Sequence, residues 1–386
     1  MFGLHSRVKP SFGGKILDVK FDPTGNTDNV LIASYKSRYP VVLYDSKKHT
    51  KKHLMVSDHK ETCNELHFTY DGRHMVSGLA NGSVNVWSTH SAKKVFGYHK
   101  EKDTVSRVCV HPAQPFFATA YKGKSIVIGN YSAADGSNGS GTKDLYNELQ
   151  ANEWPAPVNE LTFGHGWYGN YLLASLGNDD PDDMGNRVDT YGLLFDINCP
   201  EYTRKLNNQQ GMTFSVAWNP RQTAYFAVGS GDHNNNVCIY NMTDNIIVGN
   251  LVTGHDDINQ MSWSPDGVEL VVAGNNNSAH VFDMRFTTAP LHVLKHNAKN
   301  KSRLVTGASW SRDGPFLVTC GEDCHVNIWD TSCGDPLIQR LGEHKHTTNF
   351  VDVSARSDMV VSGSDDGFIA IYAAEKGVYL EDEQHQ

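Results

Sequence analysis

Between Thr253 and Asp283 the chain reads Thr253-Gly254-His255, then Ile258-Asn259-Gln260-Met261-Ser262-Trp263-Ser264-Pro265-Asp266-Gly267, then Leu270-Val271-Val272-Ala273-Gly274, then His280-Val281-Phe282-Asp283. Apolar and polar residues alternate up to the Pro-Asp-Gly turn. A short apolar run rich in small residues follows, and a tight turn leads to a third run that ends on an aromatic. Period-two alternation bounded by turn residues predicts three short antiparallel strands.

Working outward from this stretch, the same pattern recurs along the chain. Its third strands end near Tyr44, Trp87, Ile128, Phe195, Tyr240, Phe282, Trp329 and Tyr372, at spacings of 43, 41, 67, 45, 42, 47 and 43 residues. The units occupy approximately residues 14–45, 58–88, 98–130, 157–196, 211–241, 253–285, 303–330 and 342–373. The one long spacing contains an inserted loop, 131–156, with a Gly/Ser/Asn-rich run from Asp135 to Thr142. Beyond that run, Leu145 and Leu149 stand at i,i+4, which predicts a short helix over Asp144–Gln150.

On these residues the sequence resembles the WD-repeat family over nearly its whole length. The resemblance is carried by Ile328-Trp329-Asp330, Val86-Trp87-Ser88, Thr253-Gly254-His255, the turns Pro23-Thr24-Gly25 and Pro265-Asp266-Gly267, and above all the run from Ser362 to Tyr372. Six of the seven spacings sit near the roughly 40–45-residue period of such repeats. The resemblance implies an all-β propeller of four-stranded blades, eight in number, with seven as the alternative. The fourth strand of the last blade is expected either from the amino terminus (Leu4 to Phe12) or from the segment Lys376 to Glu381, inside the acidic tail 374–386.

The family's structural tetrad of His, Ser/Thr, Asp and Trp is approached in two repeats. One uses Thr319, Asp323 and Trp329 with His296. The other uses His344, Ser362 and Asp366, with Tyr372 replacing Trp. Elsewhere the Asp position holds Asn81, Asn234, Asn276 or Lys122, so those blades must rely on apolar packing.

Composition agrees with a folded, intracellular protein, cytoplasmic and/or nuclear. Of 386 residues, 39% are hydrophobic and 20% charged, which supports a real core. Met1 to Gly14 lacks the apolar run of a signal peptide, and no stretch approaches membrane-spanning length. Seven scattered cysteines, an odd number, do not read as a disulfide framework. The net charge of −9 hides an asymmetry: residues 1–130 carry 15 Lys and 4 Arg against 10 acidic residues, whereas the remainder carries 15 basic against 33 acidic residues. The first three units are therefore basic and the rest acidic.

Catalytic chemistry finds no support. Cys320, Cys324, His325 and Cys333 lack paired zinc-ligand spacing and read as blade residues. The acidic loop Asn178 to Gly185 lacks the EF-hand spacing for calcium. No nucleophile elbow, P-loop or metalloprotease motif occurs. No catalytic residue, cofactor or metal site is assigned, and the chain is read as a non-enzyme.

Binding is the better reading. At one position in each first strand stand Leu17, Asn64, Ser106, Asn159, Phe214, Asn259, Thr306 and Asn349. Asn there is read as a turn cap. Leu17 and Phe214 break the polar pattern and are candidate contact anchors. Lys47, Lys48, Lys51 and Lys52 form a basic hairpin suited to an acidic peptide or helix, and to at most weak, non-specific nucleic-acid contact. Trp167 and Tyr168 lie in a glycine-rich turn from which one of them is expected to face a partner. Arg285 ends the only stretch close to the WDxR pattern of cullin-ligase receptors. The expectation is a protein-binding scaffold or adaptor, itself monomeric within a hetero-complex and not inserted in a membrane. The alternatives are a cullin-type substrate receptor and a chromatin-associated propeller that uses the basic blades.

Overall fold

The structure is a computed structural model that describes residues 1–375, apart from 11–13, 56–58, 132–145, 151–155, 178–190, 207–212, 232–236, 245, 256, 297–303 and 313–315. The described residues form eight antiparallel sheets of four strands each. The innermost strands of blades 1 to 8 are Ile16–Phe21, Cys63–Phe68, Val105–Val110, Val158–Phe163, Thr213–Trp218, Ile258–Trp263, Val305–Trp310 and Thr348–Val353. Each packs on the next, and the eighth returns to the first, so the ring closes as an eight-bladed propeller.

Within blades 1 to 7 the strand order follows the chain. In blade 6, Ile258–Trp263 pairs with Glu269–Gly274, which pairs with Ser278–Asp283, which pairs with His292–Lys295. In blades 1 to 7 each three-strand unit is thus completed by the outer strand that follows it. Lys94–His99, for example, is the outer strand of blade 2. In blade 3 this outer strand is Tyr146–Gln150, paired with Ser125–Asn130. The helix expected over Asp144–Gln150 is therefore a strand where it is described. An unpaired blade edge leaves a row of backbone donors and acceptors, and filling it outweighs the few tenths of a kcal/mol of an i,i+4 leucine pair, about 0.2–0.5 kcal/mol.

Closure comes from the amino terminus. Phe2–Val8 pairs antiparallel with Ile369–Ala374 as the outer strand of blade 8. Phe2 is clamped to Gln339 of blade 7, its N–H donating to Oε1 (2.7 Å) and its carbonyl accepting from Nε2 (2.8 Å). Arg7 reaches Asp366 at 3.3 Å and stacks 4.3 Å above the Phe368 ring. The alternative donor, Lys376 to Glu381, lies outside the described residues, as does most of the acidic tail.

The apolar core is a ring of eight clusters, each filling the space between two neighbouring blades. Between blades 8 and 1, Ile16, Val19, Ile32 and Val42 meet Val361, Ile369 and Ile371. Between blades 5 and 6, Ala227, Val237, Ile239 and Leu251 meet Ile258, Met261 and Leu270. Each such buried aliphatic side chain contributes about 1.5–3 kcal/mol. No blade can realise this gain alone, because half of every cluster belongs to its neighbour.

The two expected tetrads form, and they differ in quality. In blade 7, His296 Nε2 and the Trp329 indole N–H both lie 2.8 Å from Thr319 Oγ1, while His296 Nδ1 lies 3.2 Å from Asp323. In blade 8, His344 bridges Ser362 (2.8 Å) and Asp366 (3.2 Å), beside Tyr372. Blade 2 keeps only the Trp87-to-Ser77 bond, at 2.9 Å. In blade 6, His255 instead packs on His280 at 4.6 Å.

Thr319 is the hub of the complete tetrad. Thr319→Val keeps the shape but strips His296 and Trp329 of their common partner. A loss of about 1–3 kcal/mol is expected, read as a lowered thermal unfolding midpoint; an unchanged midpoint would show that the tetrad adds nothing to blade 7.

Candidate protein-binding face and central channel

In all eight blades the innermost strand carries a β-bulge at the same place. The register slips between Ile16 and Asp18, Cys63 and Glu65, Val105 and Arg107, Val158 and Glu160, Thr213 and Ser215, Ile258 and Gln260, Val305 and Gly307, and Thr348 and Phe350. The residue inside each slip has no cross-strand partner, and a bulge re-aims its side chain. These bulged residues are the eight rim residues marked by sequence: Leu17, Asn64, Ser106, Asn159, Phe214, Asn259, Thr306 and Asn349.

The polar members do not cap turns. They reach sideways to the first backbone carbonyl of the next blade's inner strand. Asn64 donates to Val105 (2.6 Å), Ser106 to Val158 (3.4 Å), Asn159 to Thr213 (3.2 Å), Asn259 to Val305 (3.0 Å), Thr306 to Thr348 (2.6 Å) and Asn349 to Ile16 (2.7 Å). Six of eight blade seams are strapped in this way. Leu17 has no polar atom to strap the seam between blades 1 and 2. There Lys36 N–H donates to Thr62 Oγ1 (3.0 Å), and Ser37 and Glu61 exchange backbone bonds. Phe214 occupies the equivalent place in blade 5; its side chain lies outside the described residues.

Leu17 opens instead onto the channel mouth. It lines a cavity of about 580 Å³ together with Lys15, Tyr35, Leu304, Phe350 and Asp365. Around the adjoining rim, Lys36, Arg38, Lys60, Lys102 and Lys122 are exposed. Lys36, Lys102 and Lys124 have left-handed backbones, with φ of 45°, 60° and 64°. Lys124 stands in the turn where blades 2 and 8 place Gly82 and Gly367, and the backbone there costs a lysine what it costs glycine nothing.

The other sequence-marked residues sit at the opposite rim, because they follow the ends of first or third strands rather than precede first strands. Lys47 pairs with Asp28 (2.7 Å), Lys48 with Asp45 (3.4 Å), and Lys51 donates to the Lys9 carbonyl (2.6 Å). Lys52 lines a cavity with Thr27, Thr50 and His90. Trp167 is 95% exposed, whereas Tyr168 packs against Tyr171 and Trp218. Arg285 is exposed, and its guanidinium forks onto Asp283 at 2.6 and 2.9 Å. The structure therefore does not bring the Lys47–Lys52 hairpin and Leu17 together.

Sequence reading missed a second set of inter-blade links, made by the residue after the bulge. Leu66 N–H donates to Asp18, Val108 N–H to Glu65 (2.6 Å), Val216 N–H to Glu160 (2.9 Å) and Ala308 N–H to Gln260 (2.8 Å). The recurring pairs Asn64-Glu65, Asn159-Glu160 and Asn259-Gln260 were the available signal. Glu65 and Glu160 charge the channel wall alongside Lys20, His67 and Arg107. Burial pushes Asp18 up to about 6, against the opposing pull of Lys20 and His67. Burial likewise pushes Glu160 up to about 7, despite bonds from Ser215 and Val216. Burial works against Glu65 too, but His67, Arg107 and the Val108 N–H hold it below the usual carboxylate range.

The family model described as WD domain, G-beta repeat matches residues 50–88 and 336–372. Each match runs from the outer strand of one blade through three strands of the next. The model described as Eukaryotic translation initiation factor eIF2A matches residues 169–339. Rik1-associated factor 1 of Schizosaccharomyces pombe is 27% identical over 161 residues, 39% of this chain and 25% of that protein. COMPASS component SWD3 of Saccharomyces cerevisiae is 27% identical over 179 residues, 46% of this chain and 54% of that one. The chain thus spans a quarter and about half of the lengths of these two relatives. Telomerase protein component 1 of Mus musculus is 32% identical over 111 residues, 29% of this chain and 4% of its own. Among solved structures, the Dos1 propeller superposes with a TM-score of 0.80 at 17% identity, covering 96% of this chain and 95% of that one.

Glu160 yields a pH test. Its folded pKa lies above the unfolded value, so the folded state holds the extra proton and stability falls as pH rises from the ordinary carboxylate range to about 7. Glu160→Gln keeps an acceptor for Val216 and should unfold at a higher temperature than the parent at pH 8. The gap should close toward pH 4.5; a gap independent of pH would refute the buried-acid account.

Proposed function

We propose that this chain, an eight-bladed WD-repeat β-propeller, is a non-catalytic protein-binding subunit of an intracellular multiprotein complex. Its partner segment is acidic and carries one apolar anchor, which seats at the channel mouth. The observation that carries this reading is Leu17. It occupies a bulge that six other blades use for a structural strap, yet it turns an apolar side chain toward an open cavity lined by Lys15 and Tyr35, and Lys36, Arg38 and Lys60 are exposed on the loops of blades 1 and 2 nearby. An apolar residue among polar equivalents, with exposed cations on the adjoining loops, is the arrangement of a binding hot spot.

Several facts support the class of function. Two relatives are named as components of assemblies, COMPASS and telomerase, and a third as an associated factor. No disulfide joins the cysteines among the described residues, in keeping with a reducing compartment. No described helix is long and apolar enough to cross a membrane. The opposite rim, with Trp167 and the Lys47–Lys52 hairpin, offers a second surface for another subunit.

The test is cross-linking mass spectrometry on the protein purified with its partners from cells. Cross-links from Lys36, Lys60 and Lys102 to an acidic segment are expected. Leu17→Glu, and separately the triple K36E/R38E/K60E, should each reduce partner recovery about tenfold or more, a loss typical of hot-spot residues. Trp167→Ala should leave these cross-links in place. Undiminished recovery by correctly folded Leu17→Glu and triple variants would overturn the channel-mouth reading.

A further inference from the structure

The geometry points to a divalent-metal site in the channel wall between blades 1 and 2, built from Asp18, Glu65 and His67. One donor atom from each lies within 4.8 Å of the other two. Adjacent inner strands supply them, Asp18 from Ile16–Phe21 and Glu65 with His67 from Cys63–Phe68. The site does not depend on the partner surface proposed above.

Three observations separate this cluster from an ordinary patch of acid. First, each carboxylate is already oriented by a backbone bond through one oxygen only. Asp18 Oδ2 accepts from Leu66 N–H, and Glu65 Oε2 accepts from Val108 N–H at 2.6 Å. Such fixing of one oxygen is how surrounding bonds aim a metal ligand. Second, Asp18 is 1% exposed, and no donor among the described residues hydrogen-bonds its Oδ1. A buried carboxylate oxygen without a hydrogen bond is costly, and a cation removes that cost. Third, His67 Nε2 lies 3.5 Å from Glu65 Oε1, so an imidazole nitrogen converges on the same point. Glu65 and His67 line the channel cavity of about 430 Å³, which supplies the entry path.

The nearest cation is Lys20, whose Nζ lies 3.7 Å from Asp18 Oδ1 and 5.8 Å from the Phe350 ring centre. That separation is an ion pair without a hydrogen bond. Lys20 is therefore the competitor that a metal displaces toward the channel. The other charges near this wall are Arg107, Glu160 and Asp352. Two carboxylates and an imidazole, with no thiolate, suit a first-row divalent ion such as Zn²⁺ or Mn²⁺. Bonds of about 2.0–2.2 Å require the donors to draw together by roughly an ångström or less, within the reach of the Glu65 and His67 side chains. Water from the channel completes the shell.

The test titrates the full-length protein with Zn²⁺ or Mn²⁺ alone, by calorimetry and by thermal unfolding. Saturable binding and a raised unfolding midpoint are expected. Asp18→Asn keeps the acceptor for Leu66, and His67→Asn spares both backbone bonds; each should weaken binding about tenfold or more, as loss of a ligand does. Lys20→Met should tighten it by a similar factor. Should Asp18→Asn fail to fold, His67→Asn and Lys20→Met still decide the matter. No binding by the parent and Lys20→Met, equal binding by His67→Asn, or no gain in Lys20→Met would each overturn the proposal.

Discussion

Every blade of this propeller slips its first strand by one residue at the same point, and the ring is assembled around that slip. In six blades the bulge turns one side chain toward the neighbouring blade, where it meets the first backbone carbonyl of that blade's inner strand. A propeller seam has no continuous backbone ladder across it. Its polar cohesion must come from side chains, and a side chain in a regular strand points to a sheet face rather than along the ring. The bulge solves this in one residue. In blades 1, 2, 4 and 6 the next residue then offers an acceptor to the next blade's N–H, as Glu65 does for Val108.

That division of labour explains why the tetrads can be so degenerate. Among the described residues only blade 7 holds the full His296, Thr319, Asp323 and Trp329 arrangement, yet eight blades form. The tetrad stiffens a blade internally, whereas the apolar clusters and the straps hold blades to each other. A blade that loses its tetrad loses local rigidity and keeps its place in the ring. Blade 6 shows the substitution openly: Val272 and Phe282 fill space that Thr319 and Trp329 fill by bonding, and the His255 ring lies tilted against His280.

The repeat, and from it the eight blades, was legible because the alternation and the Pro-x-Gly turns are local signals. The rim positions were legible as well, though their purpose was not. Asn at Asn64, Asn159 and Asn259 looks like a turn cap to any reading confined to neighbours in sequence, and its true partner lies 41 to 54 residues away. The same limit hid the strand at Tyr146–Gln150. Its leucine spacing fits a helix face, and only the empty edge of Ser125–Asn130 decides against it. Closure by Phe2–Val8 was left open for a related reason, since its partner Ile369–Ala374 lies at the far end of the chain. The channel carboxylates were missed because Asp18 and Glu65 look like solvated strand residues until the ring curls them inward.

The charge asymmetry of the sequence also changes meaning once the chain is a ring. Blades follow one another around a circle, so a basic first third and an acidic remainder produce a dipole across the plane of the ring. Faces are a separate matter, set by strand direction: Leu17 stands at the start of a first strand and Lys47 follows a third strand, so they part to opposite rims although only 30 residues separate them in sequence. A ligand lying over the mouth therefore meets a field running sideways across it, from blades 1–3 toward blades 4–8. Such a field does little to hold an uncharged segment. For the proposed partner segment it would set which way round the segment lies, with its acidic end over Lys36, Lys60 and Lys102. The apolar anchor at Leu17 would fix where the segment sits, and the in-plane dipole would fix its direction.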